Sequence, residues 1–120
     1  MVRALRGATT VEANDAEQII AETGALLGKI VEENHLDIHD IISVIFSVTE
    51  DLDAAFPAVA ARRLGWNQTA LMCTNEIKVP GSLKSCIRVM LHINTEKGNA
   101  ELKHVYLKEA RALRPDLSSG

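Results

Sequence analysis

Apolar and polar positions along this chain fall into alternating, strand-like stretches separated by two stretches of helical period. Val2 to Val11 predicts a first strand, with Arg3 and Arg6 embedded in it and Thr9, Thr10 and Val11 supplying β-branched residues. Asn14 followed by Glu17 predicts the opening of a helix, with Asn14 as its cap. Ile19, Ile20, Thr23, Leu26, Leu27, Ile30 and Val31 then recur at three-to-four spacing, the signature of one buried face. The polar run Glu32 to His35 closes that helix. Ile41 to Thr49 predicts a second strand that alternates Ile42, Val44, Phe46 and Val48 against Ser43, Ile45, Ser47 and Thr49. Pro57 suits the first turn of a short helix through Arg63 that ends near Gly65.

Thr69 to Val79 predicts a third strand, and Pro80-Gly81 a turn. Ser85 to Asn94 predicts a fourth, with Ile87, Val89, Leu91 and Ile93 on one face and Cys86, Arg88, Met90 and His92 on the other. Leu102 to Leu107 predicts a fifth strand or the entry to a helix through Ala112. Strands mixed with two or three helices imply an α+β domain with a mixed β-sheet. A chain of 120 residues without repeat or linker is expected to form one compact unit. Pro115, Ser118, Ser119 and Gly120 imply that the tail from Leu113 is mobile when free.

The fourth strand carries the most informative residue. Arg88 stands in the apolar run Cys86-Ile87-Arg88-Val89-Met90-Leu91, where a buried guanidinium would cost several kcal/mol unless something anionic met it. An internal carboxylate, a neighbouring subunit and a ligand are the three possible partners. Glu76, at the end of the third strand, could neutralise one arginine. It could not balance both Arg88 and Arg6, and Arg62 and Arg114 also lie beside apolar segments. Several arginines converging with one acid would leave the net positive charge that suits a dianionic ligand.

Composition narrows the chemistry. Hydrophobic residues make up 47% of the chain, yet Phe46, Phe56, Trp66 and Tyr106 are the only aromatics, so the core must be aliphatic. The net charge of -3 hides an acidic first half and a basic second half. No basic run is interleaved with stacking aromatics, which argues against nucleic acid. No apolar stretch approaches the ~20 residues of a membrane span. The opening Met1 to Arg6 lacks the features of a secretory signal. With two cysteines read as reduced thiols, a cytoplasmic location is expected.

Cys73 and Cys86 have no zinc spacing, and neither forms a recognisable nucleophile pair with His92 or His104. His35 and His39 read as a surface turn around Asp37, and Glu50 to Asp53 as a solvated turn. No glycine-rich phosphate loop is present.

Together the segments resemble the monofunctional chorismate mutases of the trimeric α/β-barrel class. The resemblance runs through Arg3-Ala4-Leu5-Arg6-Gly7-Ala8-Thr9-Thr10-Val11 and Thr49 to Ala58. It continues through Cys73-Thr74-Asn75-Glu76, Pro80 to Leu83, Cys86 to Met90, His104-Val105-Tyr106-Leu107 and Leu113 to Leu117. It implies three copies forming a pseudo-barrel, with active sites in the clefts between neighbours. It also implies conversion of chorismate to prephenate on the route to phenylalanine and tyrosine, without a metal or other cofactor. By resemblance, Arg88 contacts the ether oxygen of the breaking bond and Arg6 also binds the substrate. Glu76 accepts from the ring hydroxyl, Tyr106 donates to a carboxylate and Cys73 lies beside the ring. Phe56, Ala58, Arg62, Leu71, Met72, Thr74, Leu113 and Arg114 match pocket-lining positions. Val59 departs from relatives that carry a charge there, and Met72 replaces a smaller polar residue found in some. A non-catalytic trimeric module that binds a small carboxylate, or arginines used only in subunit salt bridges, would fit the same residues.

Overall fold

The computed structural model describes residues 1–113. Arg114 and the rest of the predicted tail lie outside them. Five strands form one mixed sheet: β1 (Val2–Thr10), β2 (Ile41–Val48), β3 (Ala70–Asn75), β4 (Cys86–Asn94) and β5 (Val105–Tyr106). Their spatial order is β3-β2-β4-β1-β5. β4 pairs antiparallel with both β1 and β2, while β3 joins β2 and β5 joins β1 in parallel.

Helices α1 (Ala16–Asn34) and α2 (Ala58–Arg63) cover one face of this sheet. Leu26, Leu27 and Ile30 of α1 and Ala58 and Ala61 of α2 share a core with Leu5, Val44, Phe46, Val89, Leu91 and Ile93 of the strands. No helix among the described residues is long and apolar enough to cross a membrane.

Local chemistry moves several boundaries from their predicted places. The cap of α1 is Asp15, whose extended backbone lets its carboxylate accept from the Gln18 amide at 3.1 Å. Asn14 turns outward, and its Oδ1 accepts from the amides of Asp53 and Ala54. The alternation of β2 is broken by a bulge between Ile41 and Ser43. Ile41 is therefore buried, and Ile42, predicted to face inward with Val44, is exposed.

β3 is shorter than the predicted run to Val79. The Glu76 amide still donates to the Val48 carbonyl, but β2 ends there, and Ile77 onward has no ladder to join. After β5, Lys108 adopts φ 52° and the chain coils into a 3-10 segment, Lys108–Leu113. The long fifth element is thus a two-residue strand followed by a tight helical turn.

At Gly7, β1 lies close against both β5 and α1. A Cβ there would lie 2.8 Å from Ile30 Cδ1 and 3.0 Å from the Val105 carbonyl oxygen. Gly7→Ala is expected to cost about 1–3 kcal/mol through overpacking, measured by urea unfolding, and an unchanged midpoint would contradict this packing.

Cys86 is 1% exposed and packs with Ala8, Tyr106 and Ala110 on the other side of the sheet. Burial pushes its thiol up, against the opposite pull of the nearby Arg88 guanidinium. Because the thiolate is the reacting species, Cys86 should resist iodoacetamide at neutral pH in the native protein and label fully in denaturant. Peptide mass spectrometry reads the difference.

Candidate active site

β4 sets the site because its alternation divides core from surface. Ile87, Val89, Leu91 and Ile93 face the helices, and Arg88, Met90 and His92 stand on the open face. The register pairs Met90 with Arg6 and Arg88 with Ala8. Arg6 and Arg88 are therefore diagonal neighbours on adjacent strands, a spacing at which long side chains meet. Neither is the fully buried charge that the apolar run implied: the Arg88 side chain keeps 47% of its exposure. The strand is half-buried, and its arginine lies on the half that the helices leave open.

Glu76, just past the end of β3, reaches back to this pair. Its Oε1 lies 3.3 Å from Arg88 Nε, so it occupies the inner edge of the guanidinium. Arg6, Glu76 and Arg88 line a cleft of about 490 Å³ together with Tyr106 of β5 and Leu113. Two guanidiniums against one carboxylate leave a net positive charge. Five separate segments thus converge on one anion-attracting cleft.

Sequence reasoning did not single out Ile45, Ser47 and Met90, which form the cleft floor. Strand alternation holds the signal. Met90 lies two residues from Arg88, and Ile45 and Ser47 alternate with the buried Val44, Phe46 and Val48.

The other candidate positions gather elsewhere. Phe56, Cys73 and Thr74 line a second cleft of about 370 Å³, which shares no lining residue with the first. Phe56 is 70% exposed there, a large solvent contact for an aromatic ring. Ala58 is buried in the core, Leu71 packs against it, and Met72 is exposed on the open sheet face. Arg62 is exposed on α2. One chain therefore carries two separate surfaces: a cationic one on β1, β4 and β5, and a largely apolar one on β3 and the approach to α2.

The loop from Glu76 to Ser85 is tied down at its far end. The Asp51 carboxylate accepts from the Ser85 amide at 2.9 Å and from the Thr49 hydroxyl at 2.5 Å. Burial pushes this carboxyl up, and the hydrogen bonds from Thr49 and Ser85 outweigh it, leaving the group below the usual carboxylate range. Glu50 to Asp53 is thus more than a solvated turn, because it fixes where β4 begins. Lys78 of the same loop pairs with Glu50 at 2.9 Å.

Among the described residues no group of histidine, cysteine and carboxylate side chains is placed to hold a metal ion. His35 is the left-handed C-cap of α1. The His39 amide donates to the carboxylate of Asp37, which caps a short 3-10 turn. His92 meets Ser43 at 3.2 Å on the open face. His104 accepts the Arg6 amide through Nδ1. Both cysteines are free thiols.

Comparison with known proteins gives the family. The family model for chorismate mutase type I matches residues 2–117. A chorismate mutase AroH of Bacillus subtilis is 47% identical over 119 residues, covering 98% of this chain and 94% of that protein. A chorismate mutase AroH of Thermus thermophilus is 48% identical over 120 residues, covering 99% and 98%. The solved structure of a chorismate mutase from Clostridium thermocellum superposes with a TM-score of 0.91 at 61% identity, covering 92% of this chain and 98% of that one. A cationic cleft set on a mixed sheet, and a match across nearly the whole sequence, lead to one conclusion: the chain belongs to the chorismate mutase type I family.

Proposed function

We propose that this chain converts chorismate to prephenate by a [3,3] rearrangement, in the cleft lined by Arg6, Glu76, Arg88 and Tyr106. The observation that carries this reading is the meeting of those four residues, from four segments far apart in sequence, around a net positive charge. They are also the positions that the family resemblance names.

The reaction breaks one C–O bond as one C–C bond forms within a single molecule. It transfers no proton, so the protein has only shape and charge to supply. The substrate carries two carboxylates and must fold into a compact diaxial form. Cationic donors fixed on neighbouring strands favour that form and remove much of its entropic cost. As the C–O bond lengthens, negative charge grows on the ether oxygen. Arg88, held at Nε by Glu76 and free to present its terminal nitrogens, binds that state better than the ground state. Arg6 and Tyr106 take the carboxylates, Glu76 accepts from the ring hydroxyl, and Cys73 lies beside the ring.

The catalytic unit in this proposal is a homotrimer in the cytoplasm, the whole chain forming a single domain. Two features support shared sites. The named residues divide between two separate clefts of one chain. The sheet face opposite the helices also leaves Ile45, Met72 and Met90 exposed, as a face awaiting a second copy would. Closing the cationic cleft of one copy with Phe56, Arg62, Met72, Cys73 and Thr74 of the next unites the set. Leu113, and Arg114 beyond the described residues, would cover it.

Arg88→Ala should fold and assemble as the parent does but lose a factor of about 10²–10³ or more in kcat, followed by the ultraviolet absorbance of chorismate. Arg88→Lys should recover only part, because an ammonium does not reproduce the planar fork. Near-normal turnover by folded Arg88→Ala would sink the mechanism. Chorismate binding without turnover by the unaltered protein would instead indicate a carboxylate-binding module.

Shared sites predict complementation. Arg88→Ala and Arg62→Ala chains, each impaired alone, should regain activity when co-assembled, since roughly a quarter of the mixed sites then hold both arginines. No recovery in mixed particles would place each site within one chain.

A further inference from the structure

The segment that carries Tyr106 is held by very little regular structure. β5 pairs with β1 over two residues only, Gly7 with Val105 and Ala8 with Tyr106. Two side chains prolong this ladder toward its start. Asn34, buried at the end of α1, donates to the Lys103 carbonyl at 2.9 Å and accepts from the Lys103 amide at 2.8 Å, as a neighbouring strand would. One residue further on, His104 Nδ1 accepts the Arg6 amide at 2.9 Å.

The second contact bears directly on the cleft. Among the described residues Arg6 makes no ion pair. A long side chain without a local charge partner takes its direction from the backbone that carries it. The Arg6 backbone, at the end of a two-residue ladder, is fixed on the β5 side by the His104 ring. That ring lies two residues before Tyr106, so one hydrogen bond sets the heights of Arg6 and Tyr106 against each other. A ring accepting at Nδ1 carries its neutral-state proton on Nε2. The ring is therefore engaged as an acceptor at Nδ1.

We propose that His104 is a positioning residue: its Nδ1 holds the Arg6 backbone in register with Tyr106, and so aims the Arg6 guanidinium into the cleft. This rests on the chorismate-to-prephenate reading of that cleft. A misplacement of about 1 Å in such a group is enough to cost up to about a hundredfold in rate.

A double-mutant cycle on the full chain tests the idea, with kcat and KM for chorismate measured for each folded variant. His104→Ala should lower kcat/KM about tenfold or more, while His104→Asn, whose Oδ1 sits where Nδ1 sits, restores most of it. In an Arg6→Ala background the same His104→Ala change should cost less than about threefold, since no guanidinium remains to be aimed. An equal loss in both backgrounds, or no loss in either, would overturn the proposal. If His104→Ala does not fold, His104→Asn against His104→Leu makes the same comparison between an acceptor and an apolar isostere. Full turnover by Arg6→Ala alone would overturn the reading of the cleft itself, an outcome distinct from a failure of His104.

Discussion

The pairing of β4 with a strand on each side is the constraint from which the remaining structure follows. It is the central strand of the sheet, antiparallel to β1 and β2 over most of its length, and its register fixes theirs. A slip by one residue would expose Ile87, Val89, Leu91 and Ile93 and drive Arg88 under the helices. Both changes are costly: four aliphatic side chains lose their burial, and a guanidinium loses its solvent. The core thus enforces the register, and the same enforcement presents Arg88 to the open face. Stability and the placement of the charged group share one cause.

Charge gives the open face its character. Arg6 and Arg88 face the same side of adjacent strands, and Glu76 offsets only one of them. Two like charges held in one cleft repel each other, and an anion relieves that repulsion. The cleft is consequently better matched to a bound dianion than to water. The preorganisation is already present in the strands, so little rearrangement is needed when negative charge develops on a reacting oxygen. Catalysis of a rearrangement without proton transfer asks for this arrangement and for little else.

The site also lies where the sheet runs out of backbone hydrogen bonds. β5 is two residues long, and β3 ends where β2 ends. Side chains take over from the missing ladder: His104 and Asn34 on one edge, Asp51 and Thr49 at the start of β4. Short strand ends leave room for the functional side chains. Polar groups from other elements then supply the rigidity that a longer ladder would have provided.

Periodicity in the sequence determined the elements and their faces wherever the signal was local. The stripe from Ile19 to Ile30 made α1 legible, the alternation from Cys86 to Ile93 made β4 legible, and the oddity of an arginine inside that run drew attention to Arg88, which lines the cationic cleft. The family resemblance, carried by motifs spread over the whole chain, pointed to the activity. Other features depended on contacts between distant segments, which spacing along one chain does not encode. The choice of Asp15 over Asn14 as cap turned on Asp53 and Ala54 being near enough to claim Asn14. The inversion of Ile41 and Ile42 came from a bulge against β4. The exposure of Arg88, the reach of Glu76 back to it and the use of His104 as a substitute strand were likewise decided only by the packed sheet. Its register brings residues nearly a hundred positions apart within one hydrogen bond.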